Sequence, residues 1–192
     1  MTGRAAIALL LAVLSAHADS PPVALDLRGA EARRTPEGQL AFVLHFAAPP
    51  DPARARLFID LDGRSTGEPG TGAEYMIEGN QFLRYPPGAA PWTWEAAGAL
   101  VPLVHSNDLV YLIAPPAGLA TFRWWAEATR PDWNIASRFP AEDVVVSTLA
   151  KLPALDTATL ARPVANPRLD LLEARAYRFD LSGLAIQLTF AG

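Results

Sequence analysis

The chain has no cysteine, a single lysine (Lys151) and three histidines in 192 residues. Without cysteine there is no disulfide scaffold, no thiol nucleophile and no thiolate zinc site. No apolar run reaches the roughly 18 residues a membrane-spanning helix requires. Twenty acidic against sixteen basic side chains give a formal charge of −4, so there is no electrostatic footprint for nucleic acid. Enzymatic motifs are missing too: no G-x-S-x-G, no H-E-x-x-H, no G-x-x-x-x-G-K-[ST], and no dinucleotide glycine pattern leading into a helix. Beyond the first 18 residues only His45 and His105 remain, too few for a histidine-rich metal centre. Together these absences point away from catalysis.

What is present is apolar mass and punctuation. Apolar residues make up 51% of the chain, with 18 prolines and 13 glycines, enough for the core of one ordinary domain. Residues 1–18 read MTGRAAIALLLAVLSAHA: Arg4, a short apolar run, then Ala16-His17-Ala18. Those are the parts of a secretory signal peptide. The expected mature protein is residues 19–192, exported to the periplasm or secreted, with no membrane span after cleavage.

Turn signals then recur at short intervals, among them Pro36-Glu37-Gly38, Asp62-Gly63, Pro69-Gly70, Pro86-Pro87-Gly88 and Pro131-Asp132. Between them lie apolar runs such as Leu40–Phe46, Ala55–Leu61, Glu74–Ile77, Gln81–Tyr85, Leu100–His105, Leu109–Ala114, Ala120–Ala126 and Val144–Ser147. Short runs punctuated this often predict an all-β, two-sheet antiparallel sandwich, jelly-roll or immunoglobulin-like, with little helix. The one stretch that reads as a short helix is Leu155 to Ala161, after Pro153. In Leu40–Phe46 the even residues share one face by alternation, which leaves Val43 and His45 on the other.

The chain also echoes itself. At a fixed offset of 144, residues 25–47 and 169–191 share 11 identities in 23 positions, including Leu-Asp-Leu and Leu-Ala-x-x-Leu-x-Phe. The last segment is either the opening hairpin of a second, unfinished copy or a strand pair in the same sandwich. An isolated hairpin is marginal in water, so the hairpin 168–190 is expected to pack on the same core. Its edge offers a pairing surface to another chain.

The most distinctive segment is Leu57–Glu95. It holds Ile59-Asp60-Leu61-Asp62, Thr66-Gly67, Gly72-Ala73-Glu74-Tyr75-Met76-Ile77-Glu78 and Trp92-Thr93-Trp94. In this pattern it resembles the DOMON-like and family 9 carbohydrate-binding-module-like β-sandwich domains of exported bacterial proteins. The resemblance covers about 90 residues, and Glu74 stands where such domains often have Asp. It implies a two-sheet fold and a non-catalytic binding or adaptor module, in a group that includes sugar binders and haem binders.

Asp60 and Asp62 lie two apart on a strand end, so their carboxylates share a side, and Glu74 opens the next strand. Three acidic oxygens with loop carbonyls suit Ca²⁺. The same residues equally suit a turn whose own N–H groups donate to the aspartates, with Arg64 or Arg84 as neutralising cations. The adjacent Trp124 and Trp125 must take opposite faces, and Trp92 and Trp94 one face. Arg123, Trp125 and Trp133 form the candidate ligand patch, since sugar rings stack on flat aromatic faces. Some DOMON-like domains hold haem between Met and His, which makes Met76 and His105 the weakest of the candidates. The function expected is therefore an exported non-catalytic binding module for carbohydrate or another small ligand, with a Ca²⁺-stabilised loop. The alternative is an envelope interaction protein that pairs with a protein partner through a sheet edge.

Overall fold

The computed structural model describes residues 22–63, 66–159, 171–178 and 184–190; the expected signal peptide, residues 1–18, lies outside them. Among the described residues fourteen strands are formed: β1 (Leu27–Arg34), β2 (Leu40–Phe46), β3 (Ala55–Asp60), β4 (Tyr75–Glu78), β5 (Gln81–Arg84), β6 (Glu95–Ala99) and β7 (Leu103–His105), then β8 (Asp108–Ile113), β9 (Thr121–Thr129), β10 (Ile135–Phe139), β11 (Val145–Thr148), β12 (Asp156–Thr159), β13 (Leu171–Arg178) and β14 (Leu184–Phe190). The only helical elements among the described residues are three-residue 3₁₀ turns. No helix among these residues is long and apolar enough to cross a membrane. The helix expected at Leu155–Ala161 is not formed. Asp156–Thr159 is β12, paired antiparallel with β13, while residues 160 and 161 lie outside the described set. Threonine at 157 and 159 favours the strand, and the pairing partner some twenty residues on was invisible locally.

The fold is the all-β sandwich that the punctuation predicts. A four-stranded sheet, β1-β2-β8-β7, packs on a seven-stranded sheet, β10-β9-β3-β4-β5-β6, with β11 also paired to β9. Alternation builds the space between them. Leu40, Phe42, Leu44 and Phe46 of β2 and Leu109, Tyr111 and Ile113 of β8 face Leu57 and Ile59 of β3 and Phe122, Trp124 and Ala126 of β9. Trp124 packs edge-on to Phe42, 5.3 Å between centroids, and its indole N–H donates to Ser147 Oγ at 3.0 Å. At one rim Ser137 of β10 ties the sheets together, accepting from the Leu27 N–H and donating to the Leu25 carbonyl.

Both sheets are also apolar outside. Ala41, Val43 and Val110 on the outer face of the four-stranded sheet are fully buried with Leu155. Segment 153–155 carries that leucine there: Arg34 N–H donates to the Pro153 carbonyl at 2.9 Å and Leu155 N–H to the Arg34 carbonyl at 2.8 Å. On the outer face of the seven-stranded sheet, Phe58, Ala73, Met76, Leu83 and Trp125 form a third cluster. A third sheet, β12-β13-β14, is formed from the C-terminal strands.

Tyr111 is fully buried and its hydroxyl has no hydrogen-bond partner among the described residues. Burial pushes its ionisation well above the ordinary 10.0, so the group stays neutral and unsatisfied. Such a hydroxyl costs about 1–3 kcal/mol. Tyr111→Phe keeps the ring and removes the orphan, so urea denaturation should show a gain of about 1 kcal/mol. A clear loss would mean that the hydroxyl is satisfied.

Candidate functional site

Two constellations stand at opposite ends of β9. The first is the acidic turn after β3. Asp60, nearly buried, accepts the N–H groups of Asp62 (3.1 Å) and Gly63 (2.6 Å) through a single oxygen, Oδ1. Glu74 Oε2 accepts the Leu61 N–H at 2.7 Å. The aspartate-turn geometry anticipated for Asp60 is thus formed. Glycine is required beside it at Gly67, where a Cβ would come within 2.4 Å of the Ala73 carbonyl.

The other oxygens crowd together. Thr66 Oγ1 lies 3.0 Å from Asp62 Oδ2 and 3.0 Å from Glu74 Oε1. One hydroxyl proton cannot satisfy two carboxylates at once. Ligand atoms of Asp60, Asp62 and Glu74 all fall within 4.8 Å of one another. Burial raises the Glu74 carboxyl above its ordinary 4.5; the hydrogen bonds from Leu61 and Thr66 pull it down, while the charges of Asp60 and Asp62 push it up again. An arrangement of hard carboxylate oxygens this close together suits a metal ion. Among the described residues, the cation beside this turn is not the expected Arg84. Arg84 pairs with Glu95 at 3.2 Å, and Arg64 lies outside the described residues. It is Arg123, opposite Asp60 in the β3–β9 register, whose guanidinium lies where a Cβ on Gly63 would fall.

The second constellation is an aromatic ledge. Trp125 is stacked on Phe58 with 5.0 Å between centroids, and the Arg138 guanidinium lies 5.5 Å above its ring. Trp125 is therefore a floor rather than an open face, at 5% exposure. Beside it the Arg56 guanidinium is 5.6 Å from the Trp92 ring and 4.6 Å from the Trp133 ring. Its Nε also donates to Glu78 at 2.8 Å. Arg54 adds a second cation 5.4 Å from the Trp133 ring. Both tryptophans are about half exposed, Trp92 at 51% and Trp133 at 49%.

Both also have left-handed backbones, φ 59° for Trp92 and 67° for Trp133. For a bulky residue this costs roughly 1–2 kcal/mol, and a cation–π contact returns about 0.5–2. The two effects nearly balance at Trp133, whereas Trp92 also packs edge-on to Phe58, 6.4 Å between centroids. Local devices hold both conformations. Fully buried Glu68 accepts the N–H of Gly70 at 2.9 Å and that of Trp92 at 3.4 Å. In the β9–β10 turn, Trp133 N–H donates to the Arg130 carbonyl, and the Asp132 carboxylate accepts from Asn134.

Of the residues singled out from sequence, Asp60, Asp62 and Glu74 converge. Trp125 and Trp133 both belong to the ledge region, but Arg123 sits with the acidic turn at the other end of β9. Trp92 and Trp94 are in a loop before β6, not on a strand, with centroids 6.4 Å apart. Met76 lies in the outer cluster of the seven-stranded sheet, whereas His105 is on β7 of the other sheet. Arg56, Glu78 and Glu68 were not anticipated. Compared with known families, curated proteins and solved structures, the chain gives no match. A two-sheet antiparallel β-protein is what the coordinates support, without a family match to either group it resembles.

Glu127, on the outer side of β9, is nearly buried, 3.7 Å from Arg138. Burial raises its carboxyl above the ordinary 4.5; Arg138, the Trp125 indole and Arg56 pull the other way without cancelling it. A raised folded-state value gives stability that is complete below the unfolded value and lost as pH rises through the folded one. Glu127→Gln lacks that loss. The melting temperature of the variant should therefore gain on wild type as pH rises above the ordinary carboxyl value of 4.5. A constant offset across that range would show that burial does not control this carboxyl.

Proposed function

We propose that the protein is an exported, non-catalytic binding module whose ligand is a carbohydrate held on the Trp92–Arg56–Trp133 ledge. The observation that carries this is two half-exposed tryptophans in left-handed conformations on either side of one guanidinium. Ring faces suit the C–H surfaces of a sugar, and the Arg56–Glu78 pair between them offers a donor and an acceptor for hydroxyls. A few fixed polar groups among apolar faces is the usual composition of a ligand site. The signal-peptide pattern of residues 1–18 supports export to the periplasm or beyond.

The acidic turn is assigned a supporting role. Ca²⁺ fits its donors, three carboxylates whose hard oxygens lie within 4.8 Å of one another. Bound by Asp60, Asp62 and Glu74, it would fix the loop that runs on to Glu68, and through Glu68 the backbone of Trp92. The turn would thus support the ledge from a distance.

A glycan panel followed by tryptophan fluorescence and calorimetry tests the ledge. Trp92→Ala and Trp133→Gly should each weaken binding at least about tenfold, equivalent to about 1.4 kcal/mol. Trp133→Gly should also leave the melting temperature nearly unchanged, because relief of backbone strain offsets the lost cation–π contact. Absence of any glycan response in the wild type would refute the proposal. For the turn, Ca²⁺ should raise the melting temperature and EDTA should reverse the rise. Glu74→Gln, whose amide can still accept from Leu61 while donating toward Asp62, should melt higher than metal-free wild type and ignore Ca²⁺. A wild-type protein indifferent to Ca²⁺ would leave the turn with hydrogen bonding alone.

A further inference from the structure

The two echoing segments fold alike. In the first hairpin Leu27 pairs with Phe46 and Arg34 with Leu40, with a register shift between Leu27 and Gly29. In the last hairpin Leu171 pairs with Phe190 and Arg178 with Leu184, with a shift between Leu171 and Glu173. Every one of these positions is related by the offset of 144, the bulge included. The identities also fall unevenly. Seven positions of β1 and β2 contribute to the inter-sheet core: Leu27, Ala30, Ala32, Leu40, Phe42, Leu44 and Phe46. Six of the seven recur unchanged in β13 and β14, and the exception replaces Phe42 by Ile186. Of the other eight strand positions only two recur, Arg34 as Arg178 and Ala41 as Ala185. An alanine-rich composition would not sort identities by face. What has been kept is the set of residues that closes a sandwich.

The edges differ in use. β2 pairs with β1 on one side and along six residues with β8 on the other. Among the described residues β14 pairs with β13 alone, and it also lies against β7 of the same chain without a ladder between them. Its other edge is the one that, in its twin, receives β8.

We infer that β13–β14 is a second closing hairpin for this sandwich, and that its occupant is the β8 edge of a second copy whose own β1–β2 hairpin is undocked. A second copy is favoured over the same chain because Pro153–Leu155 is clipped to Arg34 and buried against Ala41, Val43 and Val110. That clip anchors the C-terminal sheet to the very hairpin it would have to replace. Exchange of equivalent elements between protomers is a low-cost route to association, and strand addition at an edge supplies the main-chain bonds.

Substitutions in the full chain test this. Leu44→Asp spoils the core face of β2, and Leu188→Asp spoils the equivalent position of β14. Leu188→Asp alone should melt like wild type. Leu44→Asp should remain folded but as a dimer or larger assembly, with a melting temperature that rises with protein concentration. The double variant should lose its cooperative transition. In a separate full-length chimera the sequence of residues 169–191 replaces residues 25–47; it should melt cooperatively. The inference is overturned if Leu44→Asp is as unfolded as the double variant, if it stays folded but monomeric at every concentration, or if the chimera does not fold.

Discussion

A β-strand has two faces, and in this protein the central strands are apolar on both. Phe58 lies between Leu57 and Ile59, Trp125 beside Trp124, Val43 between Phe42 and Leu44, and Val110 between Leu109 and Tyr111. One sandwich core can take only one face of each. The other faces must be covered or left to meet water, and at roughly 25 cal/mol per Å² of apolar surface the incentive to cover them is large. Much of the remaining architecture follows. Leu155 is brought over the four-stranded sheet by two backbone hydrogen bonds, and Arg138 is laid across Trp125. The loop carrying Trp92 and Trp94 folds back beside Phe58.

The two covers have different chemistry. Over the four-stranded sheet the cover is aliphatic and closed, with Ala41, Val43 and Val110 fully buried. Over the seven-stranded sheet it is made of aromatic rings and guanidinium groups, and it ends in half-exposed tryptophans. Arginine is well suited there because its planar group can lie on a ring face while its N–H edges still find a carboxylate. Arg56 does both at once, against Trp92, Trp133 and Glu78. The buried carboxylates divide in a similar way. Glu68 is occupied by backbone N–H groups and acts as a clamp, Glu127 sits among arginines and an indole, and the half-buried Glu74 faces the same Thr66 hydroxyl as Asp62.

Strand positions were legible because alternation and turn chemistry are local. The extents of β2, β3, β5, β8 and β11 follow from apolar runs bounded by Pro, Gly, Asn and Asp, and the opposed faces of Trp124 and Trp125 follow from geometry alone. β6 was missed because Glu-Ala-Ala-Gly-Ala has neither the residues nor the pattern of a strand. It is one only because β5 offers an edge. The helix expected near Leu155 failed for the same reason, its fate decided by β13. Within the candidate sites, Asp60 and Asp62 were visible through their spacing and Glu74 through its place at a strand start. Trp133 was flagged by its polar turn. Arg56 gave no signal, since its importance comes from two loops about 40 residues apart in the chain meeting over it. A tryptophan in a glycine-like backbone position likewise leaves no mark in the sequence.

The repeat shows how structure changes the weight of a sequence observation. Eleven identities in 23 positions carry little force in a chain so rich in alanine and leucine. Sorted by face, they become a statement about packing, because six of the seven core-facing positions recur and only two of the other eight do. Only contact with a facing sheet separates them. The repeated bulge points the same way, since a bulge one residue out of place would turn the remainder of the strand over and present the wrong side. Register, bulge and kept residues together make β13–β14 the counterpart of β1–β2.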